Sequence, residues 1–91
     1  MSSIDAYREQ INVLDKQIVE LIEKRMDVAV GIGIEKKKLG LPVFDGAREK
    51  NRLETVRNLA ANDLYRDHLP VIYETIMKET KIVEQKIMDE E

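Results

Sequence analysis

Three hydrophilic side chains stand where their neighbours call for apolar ones. Arg25 interrupts a run of apolar residues on a three-four spacing (Ile4, Tyr7, Ile11, Leu14, Ile18, Leu21, then Val28 and Ile32). Thr80 and Glu84, four apart and so on one helix face, interrupt a second run made by Leu69, Tyr73, Ile76, Val83 or Glu84 itself, and Ile87. Lys36 follows Arg25 by eleven residues, which on a helix brings it back to within about 20° and about 16 Å along the axis. Side chains so placed can converge from both ends on a small anion. Charge in a core is costly unless paired or solvated, so it needs a partner. Internal pairing of Arg25 with Glu84, or a wet rim, would suffice for any one of these groups. Taken together, Arg25, Lys36 and Arg48 would face Glu84 alone, and a dianionic ligand would balance them.

Other chemistries find less support. Gly31-Ile-Gly33 lacks a third glycine and a preceding strand, so it is not a dinucleotide fingerprint. His68 is the sole histidine and has no ligand-spaced companion, which argues against a metal. The two serines, Ser2 and Ser3, have no base beside them, and there is no cysteine to supply a thiolate or a disulfide.

The elements that must position these groups are helices. Ile4 to Leu39 reads as one amphipathic helix about 54 Å long, with Ser3 as N-cap, Asp5 and Glu9 at the positive end of its dipole and Lys36, Lys37 and Lys38 at the other. Gly40 suits the C′ position and Pro42 stops the helix. Gly31 and Gly33 weaken it by about 1 kcal/mol each, which predicts either a bend or, preferably, the close approach of another backbone. Asp45 caps a second helix over about residues 46–61, with Leu53, Val56 and Leu59 or Ala60 inward and Arg48, Lys50, Arg52 and Arg57 elsewhere. NDLYRD turns into a third helix over about residues 66–88, where Pro70 is tolerable in the first turn, and the tail MDEE should fray. The fold class is therefore all-α, with residues 1–91 forming one domain and no strands or repeats. A compact domain of this length has a radius of gyration of about 12 Å, so the first helix protrudes from any globule the chain could form alone. It needs a partner.

Composition narrows the function. A chain 43% hydrophobic and 36% charged folds, but ninety-one residues bury little surface, and oligomerisation would supply the missing core. The net charge of −3 and the scarcity of aromatics argue against nucleic acid. No apolar run is long enough for a membrane and the start has no leader pattern, so the expected location is cytoplasmic. Met1 and the compact length point to a free-standing protein.

The order of Arg8, LDKQIVELIEKR ending at Arg25, Lys36, the loop LPVFDGAREK and finally ETKIVEQ resembles the all-helical class of chorismate mutases, over nearly the whole chain. The resemblance implies an intertwined homodimer of three-helix chains with two equivalent sites, converting chorismate to prephenate on the way to phenylalanine and tyrosine. It implies that Arg25 and Arg48 hold substrate carboxylates, that Lys36 donates to a carboxylate and to the ether oxygen, and that Glu84 donates to the same oxygen. Asp45, through its backbone N–H, and Glu49 would meet the ring hydroxyl. Arg8 would come from the other subunit. The spacing agrees, because Arg8 lies about 25 Å along the rod from Arg25, too far for both to hold one small ligand. A concerted rearrangement has no nucleophile, proton transfer or redox step, so neither cofactor nor metal is implied.

Two positions depart from the family's commonest pattern. Thr80 stands where serine is frequent and retains the hydroxyl. Glu84 stands where many members have glutamine, and a carboxyl donates a hydrogen bond only when protonated. Activity should then fall as pH rises through the titration of Glu84. Aligning Gln85 there instead would turn the group about 100° away. Two further readings are an isochorismate-pyruvate lyase of the same fold and a non-catalytic helical dimerisation or regulatory module.

Overall fold

The computed structural model describes residues 2–90 and is helical nearly throughout. Its elements are α1 (Ser3–Leu39), α2 (Gly46–Leu59), the single turn α3 (Asp63–Arg66) and α4 (Leu69–Asp89). Met1, part of the expectation of a free-standing chain, and Glu91, the end of the tail, lie outside the described residues.

α1 is one unbroken helix. Its N-cap is Ser2 and not Ser3: the Ser2 hydroxyl accepts from the Asp5 N–H at 3.2 Å, which places acidic Asp5 at the third helical position. The other end closes as the lysines and glycine predict. Gly40 takes φ 68°, and the N–H groups of Gly40 and Leu41 turn back to the carbonyls of Lys37 (3.4 Å) and Lys36 (2.9 Å).

Asp45 caps α2 by accepting from the Arg48 N–H at 3.1 Å. α2 ends at Leu59, two residues before the expected limit, because Ala60 is extended and its carbonyl accepts from the Arg66 guanidinium at 3.0 Å. Arg66 also pairs with Asp63 within α3, so it belongs to that turn. α4 consequently starts at Leu69, three residues later than the pattern suggests, with Pro70 in its first turn. The tail is helical to Asp89, so Met88 and Asp89 do not fray.

α4 lies against both α1 and α2, and α3 rests on α4. Glycine decides how closely. A Cβ on Gly33 would stand 3.3 Å from the Glu84 carbonyl oxygen and 3.5 Å from Ile87 Cβ, so α4 crosses α1 where α1 has no side chain. This is the predicted close approach, without a bend. Gly31 has nothing within 4 Å.

The face that α1 turns to α4 is not its most apolar one. Ile22, Met26, Ala29 and Gly33 are buried or half-buried, whereas the stripe from Ile4 through Leu14 and Ile18 to Ile32 stays 40–66% exposed. The two faces lie about 80° apart, with Arg25 and Lys36 on the border between them. The buried residues are few: Ala29, Val56, Ala60 and Met77, with Gly33, Thr80 and Glu84. In α2 the ambiguity resolves to Ala60, and in α4 to Glu84, while Leu59 is 71% exposed. The molecule measures 56 × 27 × 14 Å with a radius of gyration of 16.6 Å, against about 12 Å for a compact chain of this length.

Candidate active site

Where α1, α2 and α4 diverge they leave a cavity of about 290 Å³. α1 contributes Arg25 and Lys36 with Val28, Ala29 and Ile32 between them, so the two cations stand at opposite ends of a short apolar floor. Arg25 is oriented from α4: its Nη1 donates to Thr80 Oγ1 at 2.8 Å, and its guanidinium carbon lies 6.0 Å from the Tyr73 ring centroid. The Thr80 hydroxyl in turn donates to the Ile76 carbonyl at 2.7 Å, one helical turn back. That leaves its oxygen lone pairs to the arginine.

Lys36 is fixed by the chain that follows it. Its Nζ donates to the Val43 carbonyl at 2.7 Å and faces the Glu84 carboxylate at 3.8 Å, an ion pair at longer than hydrogen-bond reach. Glu84 is buried to 6% exposure, made possible by the missing side chain at Gly33. Gln85 points outward and bonds Asp89 at 2.8 Å, so Glu84 is the residue that α4 delivers to the cavity. The internal pairing considered above for Arg25 and Glu84 does not form: Arg25 takes Thr80, and Glu84 takes Lys36.

α2 supplies the third wall. Because the Asp45 side chain is occupied in capping, Arg48 and Glu49 open the helix with their side chains at the cavity. Glu49 accepts from Lys81 of α4 at 2.9 Å. Among the described residues Arg25, Arg48 and Arg52 make no ion pair. Five cationic side chains (Arg25, Lys36, Arg48, Arg52, Lys81) and three acidic ones (Asp45, Glu49, Glu84) line the cavity, an excess of two positive charges. A dicarboxylate carries the opposite of that charge. Such a wall presents several N–H donors to a small dianion from different directions.

A family model, chorismate mutase type II, matches residues 7–85. The chain belongs to this family. Among its relatives is the bifunctional chorismate mutase/prephenate dehydratase of Buchnera aphidicola subsp. Schizaphis graminum, 32% identical over 85 residues, covering 92% of this chain and 22% of that protein. The T-protein of Enterobacter agglomerans is 32% identical over 60 residues, 66% of this chain and 16% of the relative. The chorismate mutase of Methanocaldococcus jannaschii is 25% identical over 84 residues, 91% of this chain and 85% of its own length. The chain thus spans 22% of the bifunctional relative, 16% of the T-protein and most of the Methanocaldococcus jannaschii protein.

Seven of the eight residues singled out from the sequence line this one cavity of the chorismate mutase fold: Arg25, Lys36, Asp45, Arg48, Glu49, Thr80 and Glu84. Arg8 does not, since it lies on the protruding part of α1. Sequence reasoning missed Arg52 and Lys81, and the apolar liners Val43 and Met77. Arg52 follows Arg48 by one helical turn, and that spacing was the available signal.

Proposed function

We propose that this chain catalyses the rearrangement of chorismate to prephenate, in a site completed by a second copy of itself. The observation that carries the proposal is the charge of the cavity: a two-charge cationic excess around an apolar floor, matched to a substrate with one carboxylate on its ring and one on its ether side chain. In the reaction the ether C–O bond breaks as a C–C bond forms, and no electron or proton enters from outside. Arg25 and Arg48 hold the carboxylates so that the side chain folds over the ring, which removes the entropic part of the barrier. Lys36 and Glu84, adjacent at 3.8 Å, meet the ether oxygen and stabilise the negative charge that grows there. Glu84 donates there in its acid form, which raises the cationic excess of the cavity from two to three. Glu49 and the Asp45 backbone take the ring hydroxyl.

A homodimer follows from the uncovered stripe. The exposed apolar residues run from Ile4 to Ile32 and are centred on Ile18. A two-fold axis crossing antiparallel α1 helices at that point sets Arg8 of a second copy level with Val28, at the cavity floor between Arg25 and Lys36. This geometry supports both the intertwined dimer and the cross-subunit role of Arg8. We place the protein in the cytoplasm; no helix of the described residues is long and apolar enough to cross a membrane.

The test is the loss of chorismate's ultraviolet absorbance on addition of the pure protein, with prephenate identified as product. Arg25→Ala should lower kcat/KM by about a hundredfold or more. No loss with a folded dimer at roughly pH 5 to 8 would overturn the proposal. Release of pyruvate from isochorismate with chorismate untouched would assign the chain to the lyase reaction instead.

A further inference from the structure

Lys81 is the one cavity-lining cation already engaged by a carboxylate at hydrogen-bond distance. It joins α4 to the first turn of α2 through Glu49 Oε1 at 2.9 Å, and among the described residues this is the one ion pair between those helices. Its Nζ also stands 5.0 Å from the centroid of the Phe44 ring, just ahead of the Asp45 cap. The lysine side chain is 35% exposed and the glutamate 25%. A pair that solvated adds little to stability.

What the pair does fix is direction. A glutamate has three rotatable side-chain bonds, and on the first turn of α2 Glu49 could otherwise swing into solvent or toward the unpaired guanidinium groups of Arg48 and Arg52. Lys81 takes Oε1 and leaves Oε2 free to accept from a ligand in the cavity that Glu49 lines. The same ammonium rests over Phe44, tying the connection between α1 and α2 to α4. That connection includes Val43, whose carbonyl holds Lys36.

We propose that Lys81 is a positioning residue for this reaction, orienting Glu49 toward the substrate's ring hydroxyl without touching the substrate itself. The inference rests on the mutase reading above. It predicts that Lys81 matters only through Glu49, which distinguishes it from a further substrate contact and from a structural strut.

A double-mutant cycle on the full chain tests it: wild type, Lys81→Met, Glu49→Gln and the double variant, each assayed for chorismate loss over a range of substrate concentration. Methionine preserves the stem over Phe44 and removes the ammonium. Circular dichroism and sedimentation establish that each variant is folded and of wild-type size. Lys81→Met should lower kcat/KM by about tenfold in the wild-type background and by less than about twofold in the Glu49→Gln background. Lys81→Arg should recover most of the loss. Equal losses in both backgrounds, or none in wild type, would overturn the positioning role while leaving the mutase reading intact. An inactive wild type would remove the mutase reading and this inference with it.

Discussion

If each site draws Arg8 from one copy and Arg25 from the other, two dead variants should revive each other. Arg8→Ala and Arg25→Ala homodimers each lack one cation at both sites. Removing a charged donor from a preorganised site costs about a hundredfold, so each preparation alone should retain on the order of one per cent of activity. After mixing equal amounts, unfolding and refolding together, half of the dimers are mixed by random assortment. In a mixed dimer one cavity pairs an intact Arg25 with an intact Arg8 from across the interface, and the other has lost both. Half of the dimers with one good site of two gives about a quarter of wild-type activity. That is some twenty-five times either parent. The assay is again the loss of chorismate absorbance, read before and after co-refolding. The geometry behind the number is the 37-residue α1, which sets Arg8 about 25 Å from Arg25 of its own chain. Activity that stays at the parental level, while sedimentation shows mixed dimers, would refute the cross-subunit role of Arg8. A fully active Arg8→Ala protein would do the same more simply.

Three other outcomes are expected. Glu84→Gln, whose amide donates a hydrogen bond in any protonation state, should keep or raise kcat/KM for chorismate, whereas Glu84→Ala should lower it by about a hundredfold; a fully active Glu84→Ala protein would exclude the donor role. Gly33→Val should lower stability by about 1–3 kcal/mol in thermal or urea unfolding, since its Cβ alone would stand 3.3 Å from the Glu84 carbonyl and push α4 off α1. Gly31→Ala, with nothing within 4 Å, should instead raise stability by up to about 1 kcal/mol on helix propensity.

The charges most legible in the sequence were those that broke an apolar pattern. Arg25, Thr80 and Glu84 stood out because their helix neighbours were apolar, and the structure turns these residues and Lys36 into one cavity. Lys81 was invisible for the opposite reason, and Arg52 was marked only by its one-turn spacing from Arg48. On helices already rich in charge, a cation facing a cavity and one facing solvent have the same periodicity, and only the placement of α2 against α4 separates them. The long apolar stripe of α1 is not the face that packs within this chain. α4 uses the face with Ala29 and Gly33, whose small residues give a weak hydrophobic signal but allow the backbones to meet. The caps were readable to within a residue. The turn at NDLYRD was readable too, but not the helix boundaries on either side of it, because Arg66 ends α2 through a carbonyl that no pattern of side chains announces.

Thr80 and Glu84 are two of the few buried side chains, and among the described residues no large side chain is fully hidden from solvent. Groups that a core would normally exclude therefore occupy the place of a core, and selection for robustness and selection for turnover act on the same positions. Filling the cavity with leucine or methionine at residue 84 would be the easiest route to a harder protein, and it would abolish the site. Drift toward such variants is open wherever the activity is not needed. Such a lineage would keep the helices as a scaffold free to acquire another task.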